Sequence, residues 1–178
     1  AAALQAALAQ RPDNARAYEV LGEIYARAEQ VDQAVLHFRK ARELDPGDVR
    51  VGLALGEVLA QAGRPEEALG EARAVLEQDD SNRYALDLEG RCLRDLKRYD
   101  EADAVASRLL AQDPASREAV FLRVTIAEAR RDYAGVVGLI EELLARPRAS
   151  EGESAAGDRL LLLHLGFAHQ QLERYDAA

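Results

Sequence analysis

The three histidines, His37, His164 and His169, are the residues of this sequence with the widest chemical repertoire. An imidazole ring acts as an acid, a base or a metal ligand near neutral pH. His164 and His169 are five residues apart, a spacing that places them on different faces of one helix. The zinc-binding pattern His-Glu-x-x-His does not occur. We therefore expect packing or surface histidines and no metal site.

The other reactive residue types also lack partners at a catalytic spacing. Cys92 is the only cysteine, so the chain cannot form an internal disulfide, and we interpret it as a buried, unreactive thiol. The adjacent carboxylates Asp79-Asp80 and Glu141-Glu142 have the pattern of helix ends or solvated faces. No Gly-rich phosphate loop follows a strand. The sequence thus predicts no metal and no cofactor, and we expect that the chain is not an enzyme.

Composition and charge narrow the class of partner. The chain has 178 residues, contains neither Trp nor Met, and carries a formal net charge of −9 at pH 7. Its Ala, Leu, Arg and Glu content favours helices. The acidic surplus argues against nucleic acid, which needs clustered Lys and Arg, and favours basic or mixed-charge protein surfaces. No apolar run approaches the roughly 18 residues of a membrane span, so no membrane insertion is expected.

Composition also bears on source and location. High Ala and Arg content is typical of a GC-rich, bacterial genome. No signal peptide is present, which makes the cytoplasm the default location. The sequence also lacks an initiating Met, so a targeting segment ahead of it, and with it a periplasmic location, stays open.

Three series of residues recur along the chain with a period of 34. They are glycines (Gly22, Gly56, Gly90), alanines (Ala34, Ala68, Ala102) and helix-capping types (Asn14, Asp48, Asn82, Ser116). Near the end each series makes one step of 42, reaching Gly166, Ala178 and Asp158. The eight additional residues locate an insertion at 149–158, whose small and polar residues predict a surface loop. A period shared by independent series indicates an array of structural repeats.

Each period predicts two helices. In the first period, Asn14 is placed to cap a helix that carries Leu21 and Tyr25 on one face. The polar run Ala-Glu-Gln then interrupts the apolar pattern, and a second helix carries Ala34 and Phe38 before Asp-Pro-Gly-Asp ends it. The repeat is therefore predicted to be a helical hairpin.

These residues resemble the tetratricopeptide repeat, a family with a 34-residue pattern of large, small and aromatic positions. The first repeat matches that pattern at Tyr18, Leu21, Gly22, Tyr25, Ala34, Phe38, Ala41 and Pro46. The second and third repeats keep part of it, and the fourth is the most degenerate. The resemblance implies an all-α fold, a right-handed superhelical solenoid of antiparallel helix pairs that acts as a protein-binding scaffold.

The same period divides the chain into repeats. We expect the second helix of a truncated preceding repeat at 1–14, repeats one to four at 15–48, 49–82, 83–116 and 117–148, the inserted loop at 149–158, and a truncated fifth repeat at 159–178. Both ends fall inside a repeat, which indicates a fragment of a longer array. Uncapped ends expose apolar faces, so self-association through them is a further expectation.

The fourth repeat replaces two small residues by larger ones. Val124 occupies the glycine position and Val136 the alanine position. In this family the paired helices approach closely at these positions, and two extra side chains cannot fit there at native packing density. We expect a wider hairpin in repeat four.

In this family the first helices of the repeats line a concave groove that binds peptides or partner helices. By resemblance, the groove positions are Arg16, Glu19, Glu23, Arg27, Arg50, Leu53, Glu57, Tyr84, Asp87, Arg91, Arg94, Phe121, Thr125, Glu128, Leu163, Phe167 and Gln170. Charged residues dominate the N-terminal half, and apolar side chains join them toward the C-terminal half. We therefore expect a protein or peptide ligand with apolar and basic residues.

Two alternatives stay open. The chain could be the substrate-recruiting region of a larger enzyme or of a secretion or assembly component, which an adjoining catalytic domain would reveal. It could also be a structural array that associates with itself, which light scattering of a longer, capped array would reveal.

Overall fold

The structure is a computed structural model that describes residue 4, residues 8–145 and residues 155–176, without the side chains of 155–158 and 174–176. Its regular elements are α-helices. In chain order they are α1 (Ala15–Arg27), α2 (Val31–Leu44), α3 (Val49–Gln61), α4 (Pro65–Leu76), α5 (Arg83–Asp95), α6 (Tyr99–Gln112), α7 (Arg117–Ala129), α8 (Tyr133–Ala145) and α9 (Ala155–Asp176). Residues 8–10, ahead of α1, are also helical.

The helices pack in two compact units, residues 1–96 and residues 97–178. In the first unit, each of the helices α1 to α5 packs against the next one, and α3 also contacts α1 and α5. In the second unit, α6 packs against α7, α7 against α8, and α9 against both α7 and α8. No β-strand occurs in the described ranges, and the expected all-α fold of stacked helix pairs is confirmed.

The first helix of each pair begins at a predicted capping residue. Four side chains accept a hydrogen bond from a backbone N–H in the first turn that follows: Asn14 from Ala17, Asp48 from Arg50, Asn82 from Ala85 and Ser116 from Ala119. These N–H groups have no partner within the helix, so a side-chain acceptor stabilises the helix start. The 34-residue spacing of the caps therefore fixes where α1, α3, α5 and α7 start.

The turns inside the repeats share one backbone conformation. Glu29, Gly63, Lys97 and Arg131, again 34 residues apart, have positive φ angles of 56°, 71°, 60° and 61°. At the first, second and fourth of these turns, the next N–H donates to the carbonyl five residues back at 2.9 Å. This is the Schellman arrangement that ends helices. Only Gly63 is a glycine, the residue that adopts this region without a steric cost.

Gly22 marks the closest approach of α1 and α2. A Cβ atom at this position would lie 2.7 Å from Cδ1 of Phe38, whose ring is almost fully buried. Real Cβ atoms do not come this close to a ring carbon, so the position requires glycine unless the helices move apart. The expected close contact at the glycine position of repeat one is confirmed.

The hairpin of repeat four is wider. Val124 and Val136 are both fully buried and belong to the core of the second unit together with Val120, Ile140 and Leu161. Fewer Cα atoms of α7 and α8 approach one another within 8 Å than do those of α1 and α2. This agrees with the prediction, because the two valine side chains occupy the space between the helices.

Helix α9 begins earlier than the sequence pattern predicts. The predicted loop covers 149–158 with Asp158 as the cap, whereas the helix already starts at Ala155. Two alanines open this helix, and alanine has the highest helix propensity, which accounts for the earlier start. The rest of the predicted loop, residues 149–154, lies outside the described residues. The limits of the individual repeats stay a prediction.

Candidate protein-binding surface

The residues predicted to line the groove all lie on helices α1, α3, α5, α7 and α9, whose outward side chains we call the first-helix surface. Exposed among them are Arg16, Arg27, Arg50, Tyr84, Leu163, Phe167 and Gln170. Partly buried are Glu23, Leu53, Glu57, Asp87, Arg91, Arg94, Phe121, Thr125 and Glu128. Glu19 alone in this set is buried. A ligand can therefore reach most of these side chains without any opening of the fold.

Glu19 is held by two arginines of the first unit. Its carboxylate pairs with Arg16 on the same helix, and Nη1 of Arg50 on α3 lies 3.7 Å from Glu19 Oε1. Arg50 also pairs with Asp48, Nη2 to Oδ2 at 2.7 Å. Burial acts to raise the pKa of Asp48, but hydrogen bonds from the Arg50 side chain and backbone outweigh it and hold that pKa below its ordinary value.

An open pocket of about 240 Å³ lies beside this group. Its lining combines the charged residues just described with Asp45 and with apolar contributions from Ala15, Ala41 and Val51. Charges of both signs face the pocket, and they already satisfy one another. The pocket therefore presents no free charge of either sign to a ligand.

A second ion-pair group joins α3 to α5. Arg91 pairs with Glu57, which lies 34 residues earlier at the same position of the preceding repeat, and with Asp87, Nε to Oδ2 at 2.8 Å. Burial acts to lower the pKa of Arg91, but the two carboxylates outweigh it and raise that pKa above its ordinary value. The charged part of the first-helix surface in the first unit is thus largely neutralised from within.

In the second unit, His164 connects α9 to α7. Its Nδ1 lies 2.6 Å from Oε1 of Glu128, and its ring meets the edge of Phe121 with centroids 5.4 Å apart. His164 is therefore a packing histidine, as predicted, but it also contacts two of the predicted groove residues. No pattern in the sequence pointed to this contact, because Glu128 and His164 come from different helices.

Exposed apolar side chains follow one face of α9. Leu160, Leu163 and Phe167 are 44%, 67% and 46% exposed. The ring of Phe167 also meets that of Tyr133 edge-on at 5.9 Å. Leu163 and Phe167 were predicted from the sequence as groove residues, whereas Leu160 was missed. Its spacing of three and seven residues from the other two was the available signal, because such positions share a helix face. We call these three residues the α9 stripe.

The residues with reactive side chains form no chemical site in the described part of the chain. No group of three or more His, Cys, Asp and Glu residues there could hold a metal ion. Cys92 is buried, and burial raises the pKa of its thiol to about 11, which leaves it protonated and a poor nucleophile near neutral pH. His37 stacks on Tyr18 and Tyr25, with ring centroids 6.0 and 5.2 Å away. Among the described helices, none is both long and apolar enough to cross a bilayer.

Solved structures of repeat proteins share this fold. YrrB, described as a TPR protein with an unusual peptide-binding site, is 22% identical with a TM-score of 0.71 over 79% of this chain and 73% of that one. A tetratricopeptide repeat protein from Parabacteroides merdae is 18% identical, with a TM-score of 0.77 over 98% of this chain and 70% of that one. PilW, described as a type IV pilus biogenesis factor, is 23% identical, with a TM-score of 0.73 over 99% of this chain and 81% of that one. At these identities the likeness extends to the fold alone.

No curated protein matches the chain. Family models do match it: one model described as tetratricopeptide repeat covers residues 26–92, and a second one with the same description covers residues 1–49 and 88–154. The second model alone accounts for more than half of the sequence, and its repeats agree with the 34-residue spacing of caps and turns. The chain belongs to the tetratricopeptide repeat family.

Proposed function

We propose that the chain is a protein-interaction scaffold that binds a peptide or helical segment of a partner protein on its first-helix surface, without catalysis of its own. Membership of the repeat family supports a scaffold, and stacked hairpins present rows of side chains at regular intervals to a partner. YrrB, which has the same fold, is described as having a peptide-binding site, and that description supports a peptide or helix as ligand.

The observation that carries the proposal is the exposure of large apolar side chains at first-helix positions. Tyr84 in the first unit is 69% exposed, and Leu163 and Phe167 in the second unit are 67% and 46% exposed. Aromatic and large aliphatic anchors supply most of the affinity of protein interfaces. Exposed apolar side chains that lie together on one face are typical of interaction sites.

A pull-down with matched variants tests the proposal. Tyr84→Ala and Leu163→Ala remove one anchor from each unit. Leu36→Ala is the control, because Leu36 is 58% exposed but lies on α2, a second helix outside the proposed surface. Circular dichroism and the melting temperature establish that each variant is folded. We expect the first two variants to lose bound proteins that the wild type and Leu36→Ala retain. Equal retention by all four proteins would rule out the first-helix surface as the binding site.

A further inference from the structure

We infer that the α9 stripe is the main docking site of the second unit and that its occupant is an amphipathic helix with an apolar face and basic flanks. This inference rests on the proposed function and adds the location of the affinity and the chemistry of the partner. The stripe lies on one side of α9, while Leu161 and Ala168 on its other side are buried in the core. Leu160 and Phe167 are seven residues apart, so the stripe extends over about 10 Å of helix.

The fold does not need apolar residues at the stripe positions. Three steps of 34 and one of 42 relate Leu160, Leu163 and Phe167 to Arg16, Glu19 and Glu23 of α1. Helix α1 therefore occupies the equivalent place in its own repeat with an arginine and two carboxylates. Because the same packing is reached with charged residues, the leucines and the phenylalanine of the α9 stripe have no structural role that requires them to be apolar.

The charged positions of the first unit contribute little new binding free energy. Glu19 is already paired with Arg16 and Arg50, and Arg91 with Glu57 and Asp87. A charged ligand group would have to replace an existing ion pair by another one, and surface ion pairs contribute only about 0–1 kcal/mol. Burial of exposed apolar area, by contrast, is favourable without the loss of an existing contact.

The flanks of the stripe indicate the charge of the occupant. Helix α7 is the preceding first helix, and its positions equivalent to Leu160, Leu163, Phe167 and Gln170 hold Glu118, Phe121, Thr125 and Glu128. The apolar centre of this row therefore has a carboxylate at each end. Lysine or arginine on both sides of an apolar face complements this pattern. The net charge of −9 also attracts a basic segment at long range.

A second copy of the chain fits this surface less well. A symmetric dimer brings the same patch of both chains together, so the carboxylates of one copy would face those of the other. Like charges across an interface are unfavourable. The pattern of charges thus favours a basic partner helix over self-association.

Three fluorescein-labelled peptides of 18 residues test the inference by fluorescence anisotropy. The first places leucines at i, i+3 and i+7 with lysines on the flanks; the second has glutamates instead of the lysines; the third keeps the lysines and has serines instead of the leucines. Each is titrated with the wild type, with Leu163→Ala/Phe167→Ala, with Glu118→Lys and with the control Leu36→Ala. Circular dichroism checks the fold of each variant, and Leu163 is exposed enough for its truncation to leave the core intact.

We expect the first peptide to bind the wild type and Leu36→Ala at least tenfold more tightly than the other two peptides. The double variant should lose at least tenfold of that affinity, and Glu118→Lys should weaken the lysine peptide and strengthen the glutamate peptide. Equal binding of the three peptides, or an unchanged affinity of a folded double variant, would overturn the inference. So would a wild-type dimer in sedimentation that the double variant abolishes. If the pull-down depends on Tyr84 but not on the stripe, the inference fails and the proposed function stands.

Discussion

At the residue scale, each turn inside a repeat holds one residue in the left-handed region of backbone space. Glycine occupies this region at Gly63, whereas Glu29, Lys97 and Arg131 carry side chains there. The steric cost of a side chain in this conformation is roughly 1–2 kcal/mol. The hydrogen bonds of the turn and the packing of both helices outweigh this cost. Three of the four turns are therefore less stable than their geometry allows.

Glycine at such a turn should stabilise the protein. For Arg131→Gly the relief of roughly 1–2 kcal/mol of strain exceeds the backbone-entropy cost of glycine, about 0.5–1 kcal/mol. We expect a net gain of up to about 1 kcal/mol and a higher melting temperature. The reverse substitution, Gly63→Ala, should cost about 1 kcal/mol for the same reason. Thermal denaturation followed by circular dichroism measures both changes.

Gly70 provides the control for the glycine argument. It lies inside α4, where a Cβ atom would meet only open space, and its φ angle is not positive. Gly70→Ala should therefore stabilise the helix by about 0.5–1 kcal/mol. Gly63→Ala and Gly70→Ala are the same chemical change with opposite expected signs. Equal shifts in melting temperature would contradict the role assigned to the turn conformation.

A methyl group at Gly22 should strain the first hairpin. Gly22→Ala places a Cβ atom against the buried ring of Phe38, and overpacking of this kind costs about 1–3 kcal/mol. Gly138→Ala on α8 meets no atom within 4 Å and should stabilise instead. Urea denaturation of both variants measures the difference. A Gly22→Ala protein as stable as Gly138→Ala would contradict the close packing of α1 and α2.

His37 should make stability depend on pH. Burial lowers its pKa from 6.5, and its buried Nδ1 has no hydrogen-bond partner among the described residues. Below about pH 6.5 the unfolded chain takes up a proton that the folded chain resists, so stability falls as the pH decreases through this window. His37→Phe removes this contribution while keeping an aromatic ring beside Tyr18 and Tyr25. We expect the melting temperature of the wild type to drop more than that of the variant between about pH 7.5 and pH 5.5; parallel curves would contradict this.

The caps and the close contact at Gly22 were predictable from the sequence, because their residue types have one strongly preferred structural use. The burial of Glu19 was not predictable. Its carboxylate is stabilised by Arg16 and by Arg50, and the second of these comes from another helix. The turn conformations at Lys97 and Arg131 were also missed, since neither residue type favours the left-handed region.

At the element scale, α9 is attached to α7 through His164. The hydrogen bond to Glu128 and the edge contact with Phe121 join the two helices at their centres. The core of the second unit supports α9 from the other side through Leu161 and Ala168. The position of the α9 stripe relative to α7 therefore depends on one polar contact and one apolar layer.

Removal of the His164 side chain should loosen α9. A hydrogen bond contributes about 0.5–1.5 kcal/mol, so amide hydrogen exchange within α9 should become roughly 3- to 10-fold faster in His164→Ala. His169→Ala is the control, because His169 is exposed on the same helix five residues further on. Exchange measured by mass spectrometry separates the two variants. Identical exchange rates in α9 would show that the Glu128 contact does not hold the helix.

The order and type of the helices followed from the sequence, but the start of α9 and the width of the α7–α8 hairpin did so to different degrees. The width was predictable because Val124 and Val136 break a pattern of small residues. The start of α9 was not, because the predicted cap Asp158 is preceded by alanines that continue the helix.

At the scale of the whole molecule, the 34-residue period carried the prediction of the fold. Each hairpin buries its apolar face against its neighbours, so one period repeated along the chain specifies the arrangement of every pair. The period also predicted which helix positions face a partner. It could not predict how charges at these positions pair with one another, because such pairs join successive repeats. The balance between a charged first unit and an apolar stripe in the second became visible only from those pairs.

Site-specific photo-cross-linking tests the scaffold proposal most directly. A photoreactive phenylalanine derivative is introduced at Leu163, at Tyr84 or, as the control, at Leu36, and each protein is irradiated in an extract of its host cells. We expect partner proteins to be captured from positions 84 and 163 and not from position 36. Capture of the same proteins to the same extent at all three positions, or from position 36 alone, would contradict binding by the first-helix surface.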